Sequence, residues 1–361
     1  MDHKLKKNLQ IVVISTIGAF CLWFLFRNTD WKAVYFAIHK THPEWLILAQ
    51  IFTWSSYWTR VQRWSYVVRS SHPARFRHLF TATQIGYLFN FTIPARMGEI
   101  IRAYVLARLE KIPLPQTIAM VALDRVSDIF GMLIILFVAV LSFPIHQDII
   151  FQPDVFNTID RVVVSTKLLQ TITASFTIFL FIISGLLVLL YFKKNKVILL
   201  IDRITLPLSQ GVSRGIRNVF LNFAEGMHIF HSHRDMMKSA GFSIITWGAD
   251  LLSITSILKA FSIYCPWYTS FMMLSMISVF IAFPILPGVV GQYHLPVIAC
   301  LLMIIPDMNT DMTIAVAIVS HALTLIPIAV LGICSLLLER LNFFEIAQRC
   351  YQTELQSCSK Y

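Results

Sequence analysis

The chain has 361 residues, of which 57% are hydrophobic and only 14% charged. Ordinary soluble domains carry roughly 25% charged residues, so this composition excludes a soluble domain, a disordered chain and a fibrous repeat. The few charges are lopsided, with 30 Lys and Arg against 19 Asp and Glu, which in an apolar chain marks cytoplasmic loops.

A spanning helix needs about 20 mostly apolar residues. The first candidate is 9–26, preceded by Lys4, Lys6 and Lys7. No small-residue cleavage site follows it, so it is expected to stay as an uncleaved span. Next come 45–58 and then 79–93, which stops at Pro94 and runs into Arg96, Glu99, Arg102 and Arg108. Residues 118–143 are apolar except for Asp124, Arg125 and Asp128. Residues 168–192 end at Lys193-Lys194-Asn195-Lys196. The segment 193–238 has amphipathic stretches with basic flanks, suited to an inner membrane surface. Residues 239–263 carry Asp250 at mid-span and Lys259 near the outer end, where a lysine snorkels. The runs 267–285 and 289–305 flank a Pro/Gly break, and each is long enough to cross. Residues 312–338 form the last span, and 339–361 a polar tail.

The segment 79–111 reads as a hairpin. Its first arm makes roughly 22 Å of helix at 1.5 Å per residue, short of a core about 30 Å thick. Its second arm is too charged for lipid, and broken backbone at that depth must be buried or line a wet cavity. With the N-terminus inside, residues 1–8, 59–78, 94–117, 193–238 and 339–361 lie inside and hold 23 of the 30 basic residues. Both termini are therefore expected to be cytoplasmic.

The order span, span, hairpin, span occurs in 9–143 and again in 168–338, the second time starting from the other side. Pro94, Gly98 and Glu99 match Pro287, Gly291 and Gln292 in a P-x-x-x-G-[E/Q] pattern at the two breaks. The expected fold is an all-α polytopic membrane protein of two inverted-topology repeats. Each has three spanning helices plus a re-entrant or broken hairpin, with a site at the repeat interface.

Three clusters carry chemistry. Around Pro94 and Gly98, Arg96 and Arg102 form a fork suited to phosphate or carboxylate, with Glu99 sharing the helix face of Arg102. An internal ion-pair network is the alternative reading. Asp124 and Asp128 lie four apart on one helix face beside Arg125 and are expected to oppose the basic groups of the first hairpin. Pro284, Pro287, Gly288 and Gly291 make the second break, with Gln292 and His294 on it and Asp250 and His321 on neighbouring spans. The six cysteines show no zinc or disulfide spacing. No nucleophile–base set, metal-ligand set or phosphate loop is apparent. Enzyme activity, a cofactor and a metal are not expected. Nor is nucleic acid, since no basic block with interleaved aromatics stands outside the apolar runs.

Arg96-x-Gly98-Glu99-x-x-Arg102, Asp124-Arg125-x-x-Asp128 and Pro284-x-x-Pro287-Gly288-x-x-Gly291 resemble the flippase-like membrane domain of lysylphosphatidylglycerol synthases, from about residue 9 to 338. Three positions depart from that pattern: Asp124 and His294 stand where glutamate is usual, and Val289 where glycine is usual. The resemblance implies an inner-membrane protein that moves a phospholipid or lipid-linked molecule between leaflets. The headgroup, expected to be anionic, would lie on Arg96, Glu99, Arg102, Asp124, Arg125 and Asp128. Pro94, Gly98, Pro284, Pro287, Gly288 and Gly291 would serve as hinges, and Asp250, Gln292 and His294 as a polar second-half site. No synthase domain is expected in this chain. A non-transporting accessory subunit of an envelope-lipid enzyme is the alternative.

Overall fold

The computed structural model describes residues 29–92, 97–142, 149–151, 162–164, 233–282, 287–343 and 345–346, with isolated positions elsewhere. Apart from those positions, the expected spans 9–26 and 168–192 lie outside the described residues, as do Pro94, Arg96 and Pro284.

The first described helix, α1 (Trp31–His39), has nine residues and is not among the expected spans. Asp30 caps it by accepting from the Lys32 and Ala33 amides at 2.9 and 3.3 Å. Helix α2 (Pro43–Arg69) opens on a proline, which suits the first turn, where an amide has no helical partner. It runs well past residue 58, through Arg60 and Arg63. These two arginines therefore leave the inner basic loop to which the sequence assigned them. The hairpin follows as α3 (Phe76–Thr92) and α4 (Gly98–Glu110), then the long helix α5 (Leu114–Ser142).

Between the halves lies an unexpected two-stranded antiparallel hairpin, Ile149–Phe151 with Val162–Val164, in register Ile149 to Val164. The second half resumes with α6 (His233–Ala260), α7 (Tyr268–Ala282), a 3-10 turn at Pro287–Val289, α8 (His294–Ile304) and α9 (Thr310–Leu338). Among the described residues, α5, Arg234–Ala260 and α9 are long and apolar enough to cross a membrane. The arms of the second break are not. At 15 and 11 residues, α7 and α8 make roughly 22 and 16 Å of helix. The sequence runs 267–285 and 289–305 were each long enough to cross, and the helices they form are shorter. Gly288, Val289 and Gly291 adopt φ of 65, 48 and 85°, which a continuing helix excludes.

Packing follows small and hydroxyl residues. The most extensive pair is α2 with α6, where Thr53 bonds Ser253 at 2.9 Å and Thr246 donates to Thr59 at 2.8 Å. Such residues let backbones approach and supply interhelical hydrogen bonds. Helix α5 lies on α7, and α9 lies on α3, so the last long helix of each half covers the first hairpin arm of the other. Pro327 inside α9 removes the amide that would serve the Leu323 carbonyl. In the amide orientation that satisfies both its polar atoms, Gln50 of α2 donates to that carbonyl at 3.2 Å.

Two apolar cores result. One gathers Val61, Trp64, Leu79, Phe89, Leu106 and Met120 around α2 to α5. The other gathers Ile257, Met273, Val297, Leu301 and Val316 around α6 to α9.

Candidate functional site

The face of α2 that meets α5 and α6 carries Ala49, Thr53, Ser56, Arg60 and Arg63 at spacings of four, three, four and three. That is one stripe of a helix. Its small residues allow α6 to approach, and its two arginines then sit beside the acids of α5 and α6. The Arg63 guanidinium bonds Asp124 through Nε and Nη2 at 3.0 and 2.8 Å, and Asp128 through Nη1 at 2.6 Å. Arg60 reaches Asp128 at 3.2 Å and Asp250 at 2.6 Å. Its contact with Asp250 ties the first half to the second.

From the other side, Arg102 of α4 donates to Asp124 at 2.7 Å and lies 3.7 Å over the Trp64 ring. Trp64 is fixed in turn by its indole bond to the Met120 carbonyl, 3.2 Å. Arg125 spans Asp128 at 3.0 Å, Asp124 at 3.4 Å and Glu99 at 3.4 Å. The whole is four arginines against four carboxylates, a neutral set. Burying it requires that balance, because an unmatched charge in a low-dielectric interior costs several kcal/mol.

Two tiers separate by exposure. Arg63, Arg102 and Asp124 are at most 1% exposed and are sealed. Arg125 and Glu99 retain 30 and 24%. Together with Arg60 and Asp250 they line a cavity of about 280 Å³ between the halves. Tyr57, Tyr87 and Tyr293 continue its polar wall, while Ile254, Ile257, Leu274, Ile277, Ile281 and Ile328 make the rest apolar. The lining therefore combines charged side chains with hydrocarbon-like ones.

The helix break that presents Glu99 depends on a close approach. A Cβ on Gly98 would collide with the Gly86 carbonyl oxygen, so only glycine lets α3 and α4 meet there. The Gly98 amide is taken by Asn90 Oδ1 at 2.9 Å, and Asn90 Nδ2 faces Glu99 at 3.4 Å.

The second break is held differently. His321 Nε2 lies 3.1 Å from the Gly288 carbonyl, and the Gly291 amide donates to His294 Nδ1 at 3.3 Å. Tyr293 stacks on His321 with ring centres 4.9 Å apart. Gln292 donates to the Phe280 carbonyl at 3.3 Å. Asp250 does not join this group; it faces Arg60 and the first half.

Of the residues singled out in the sequence, Glu99, Arg125 and Asp250 reach the cavity. Arg102 and Asp124 form the sealed layer behind it, with Asp128 bridging. Arg60, Arg63 and the three tyrosines were not foreseen. The stripe on α2 carried a usable signal for the arginines, since it continues the helix past Trp58. Among the described residues no group of three or more His, Cys, Asp or Glu has the arrangement to hold a metal ion.

A UPF0104 membrane protein of Methanocaldococcus jannaschii is 32% identical over 92 residues, which is 25% of this chain and 27% of that protein. The aligned stretch thus spans about a quarter of that relative. The family model for the lysylphosphatidylglycerol synthase TM region matches residues 9–332. A match over most of the chain, together with its three membrane-length helices, makes this multi-pass membrane protein a member of the lysylphosphatidylglycerol synthase TM region family.

Proposed function

We propose that the chain is a flippase-like transporter that moves a phospholipid or lipid-linked molecule between leaflets of the inner membrane, with both termini cytoplasmic. The observation that carries this reading is the cavity between the halves, lined both by arginines and carboxylates and by isoleucine and leucine. A lipid combines the same two chemistries, a charged headgroup and apolar tails. In this reading Arg60 and Arg125 meet the phosphate, Glu99 and Asp250 orient it, and Arg63, Arg102 and Asp124 hold the charged side chains rigid. Arg96 and the hinge residues Pro94 and Pro284 keep the roles proposed for them from the sequence.

Two inverted repeats, 9–143 and 168–338, complete the proposal. Reciprocal packing supports it: α2 lies on α6, α5 on α7 and α9 on α3, the exchange expected of two halves related by a pseudo-two-fold axis. The Pro287–Gly291 break would gate one side. Reconstitution into liposomes with acyl-labelled lipid tests the function. Leaflet exchange above the protein-free rate is expected, with at least a tenfold loss in Arg125→Ala. Rates equal to empty liposomes for every headgroup would overturn it, and copurification with an envelope-lipid enzyme would then favour an accessory role.

A further inference from the structure

We infer that the headgroup taken by this cavity is zwitterionic: a phosphodiester joined through a short linker to a primary ammonium. This rests on the lipid-transport reading above and narrows its substrate class, replacing the anionic headgroup that the arginines suggest on their own.

The charge balance is the first argument. The cavity wall offers two guanidiniums, Arg60 and Arg125, and two carboxylates, Glu99 and Asp250. Behind them Arg63 and Arg102 are matched by Asp124 and Asp128. Among the described residues, wall and backing are each neutral. An anion entering alone would leave the site with an unmatched negative charge at membrane depth, which is costly. A headgroup carrying one charge of each sign leaves the balance as it was.

The second argument is atomic. Most of the charged atoms in the network are held in hydrogen bonds at 2.6–3.2 Å. Arg102 Nε and Nη2, Asp128 Oδ2, Glu99 Oε2 and Arg125 Nε are left over, and of their residues Glu99 and Arg125 line the cavity, with Glu99 Oε2 and Arg125 Nε 3.4 Å apart. Among the described residues, neither atom makes a hydrogen bond. An unfilled acceptor and an unfilled donor of opposite charge thus lie side by side, covered by the rest of two side chains that line the cavity, and a headgroup reaches them by parting the pair. A phosphate oxygen accepts from Arg125 Nε, and an ammonium donates to Glu99 Oε2. The headgroup enters the weakest pair and fills both atoms, and Asn90 keeps Glu99 in place through its other oxygen.

The same geometry selects the kind of cation. A carboxylate acceptor rewards N–H donors, so a primary ammonium is favoured over a quaternary one, which has none. Tyr57 and Tyr87, ring centres 5.5 Å apart and edge to face, line the same wall but do not form the closed aromatic cage by which quaternary ammonium is recognised.

The test uses the full chain in phosphatidylcholine liposomes with trace acyl-labelled phosphatidylethanolamine, phosphatidylcholine or phosphatidylglycerol, all with identical tails. The expected result is that phosphatidylethanolamine exchanges at least tenfold faster than the other two, and that Glu99→Gln removes its advantage over phosphatidylcholine. Phosphatidylglycerol moving as fast as phosphatidylethanolamine, or faster, overturns the zwitterion while leaving lipid transport intact. So does an equal rate for phosphatidylcholine. Should all three move only at the protein-free rate, the transport reading itself fails and the headgroup assignment with it. The wild-type series decides between these outcomes even if Glu99→Gln does not fold.

Discussion

The two helix breaks border one cavity but are held by opposite means. The first, between α3 and α4, is held by charge. Glu99 and Arg102 follow directly on Gly98, and Arg125 and Asp124 of α5 reach back to them. The second, between α7 and α8, has no charged side chain from 287 to 294. Its positive-φ turns are held by imidazoles against backbone groups and by the stack of Tyr293 on His321. Both breaks solve the same problem, which is to satisfy backbone freed at membrane depth. The first also fixes a set of charges that can meet a headgroup. The second supplies a neutral, shaped wall and contributes no charge of its own. Substitutions at matched places should therefore have unequal consequences.

The largest contrast is expected at Asp124. Replacing it with Ala takes from Arg102 the one carboxylate it meets among the described residues and leaves Arg63 with Asp128 alone, and both arginines are at most 1% exposed. Breaking a buried charge pair by removing one partner costs about 3–5 kcal/mol. Thermal unfolding in detergent should show that loss, and a change below about 1 kcal/mol would mean the network is hydrated and the sealed tier is not sealed. Gly98→Ala comes next, because its Cβ would collide with the Gly86 carbonyl, which is backbone, and with the Asn90 side-chain amide. Overpacking of this kind costs about 1–3 kcal/mol. On the other side, His321→Ala removes one hydrogen bond to the Gly288 carbonyl, worth about 1 kcal/mol, and the stack with Tyr293, worth about 0.5–1.5 kcal/mol. Equal losses at Asp124 and His321 would abolish the distinction between the two breaks.

The sequence was most legible where hydropathy and charge agree. Helices α5, α6 and α9 lie within a few residues of the apolar runs that announced them. Both breaks were marked by Pro and Gly at matched spacing. Helix α2 was cut short because Arg60 and Arg63 read as a cytoplasmic loop, and no local pattern reveals that acids 61 to 190 residues away neutralise them. The second arm 289–305 is apolar to the end and long enough to cross, so its composition leaves a crossing and a re-entrant arm equally open. Its shortening comes from positive φ at Val289 as well as at the glycines, and a valine there gives no warning. At the site, spacing placed Glu99, Arg102, Asp124 and Asp128 together. It could not separate residues that face the cavity from residues sealed behind it, since that depends on where α2 packs.

The smallest expected change in stability is also the most informative about the two halves. Among the described residues Asp250 is the second half's only charged residue on the cavity wall, and its partner Arg60 keeps a second hold on Asp128 at 3.2 Å. Asp250→Asn preserves an oxygen that can accept from Arg60 and leaves the sealed tier intact. Both side chains of the pair are only 18–19% exposed, yet they face a cavity that admits water. The stability loss should therefore stay near that of a partly solvated ion pair, about 1 kcal/mol or less. Leaflet exchange should fall further than stability does, because the wall then carries one carboxylate against two guanidiniums and its balance is broken. The measurement is paired: unfolding and exchange on the same preparation. A large unfolding shift with exchange falling only in proportion would place Asp250 with Asp124 as a strut and move the boundary between the charged and neutral breaks onto α6.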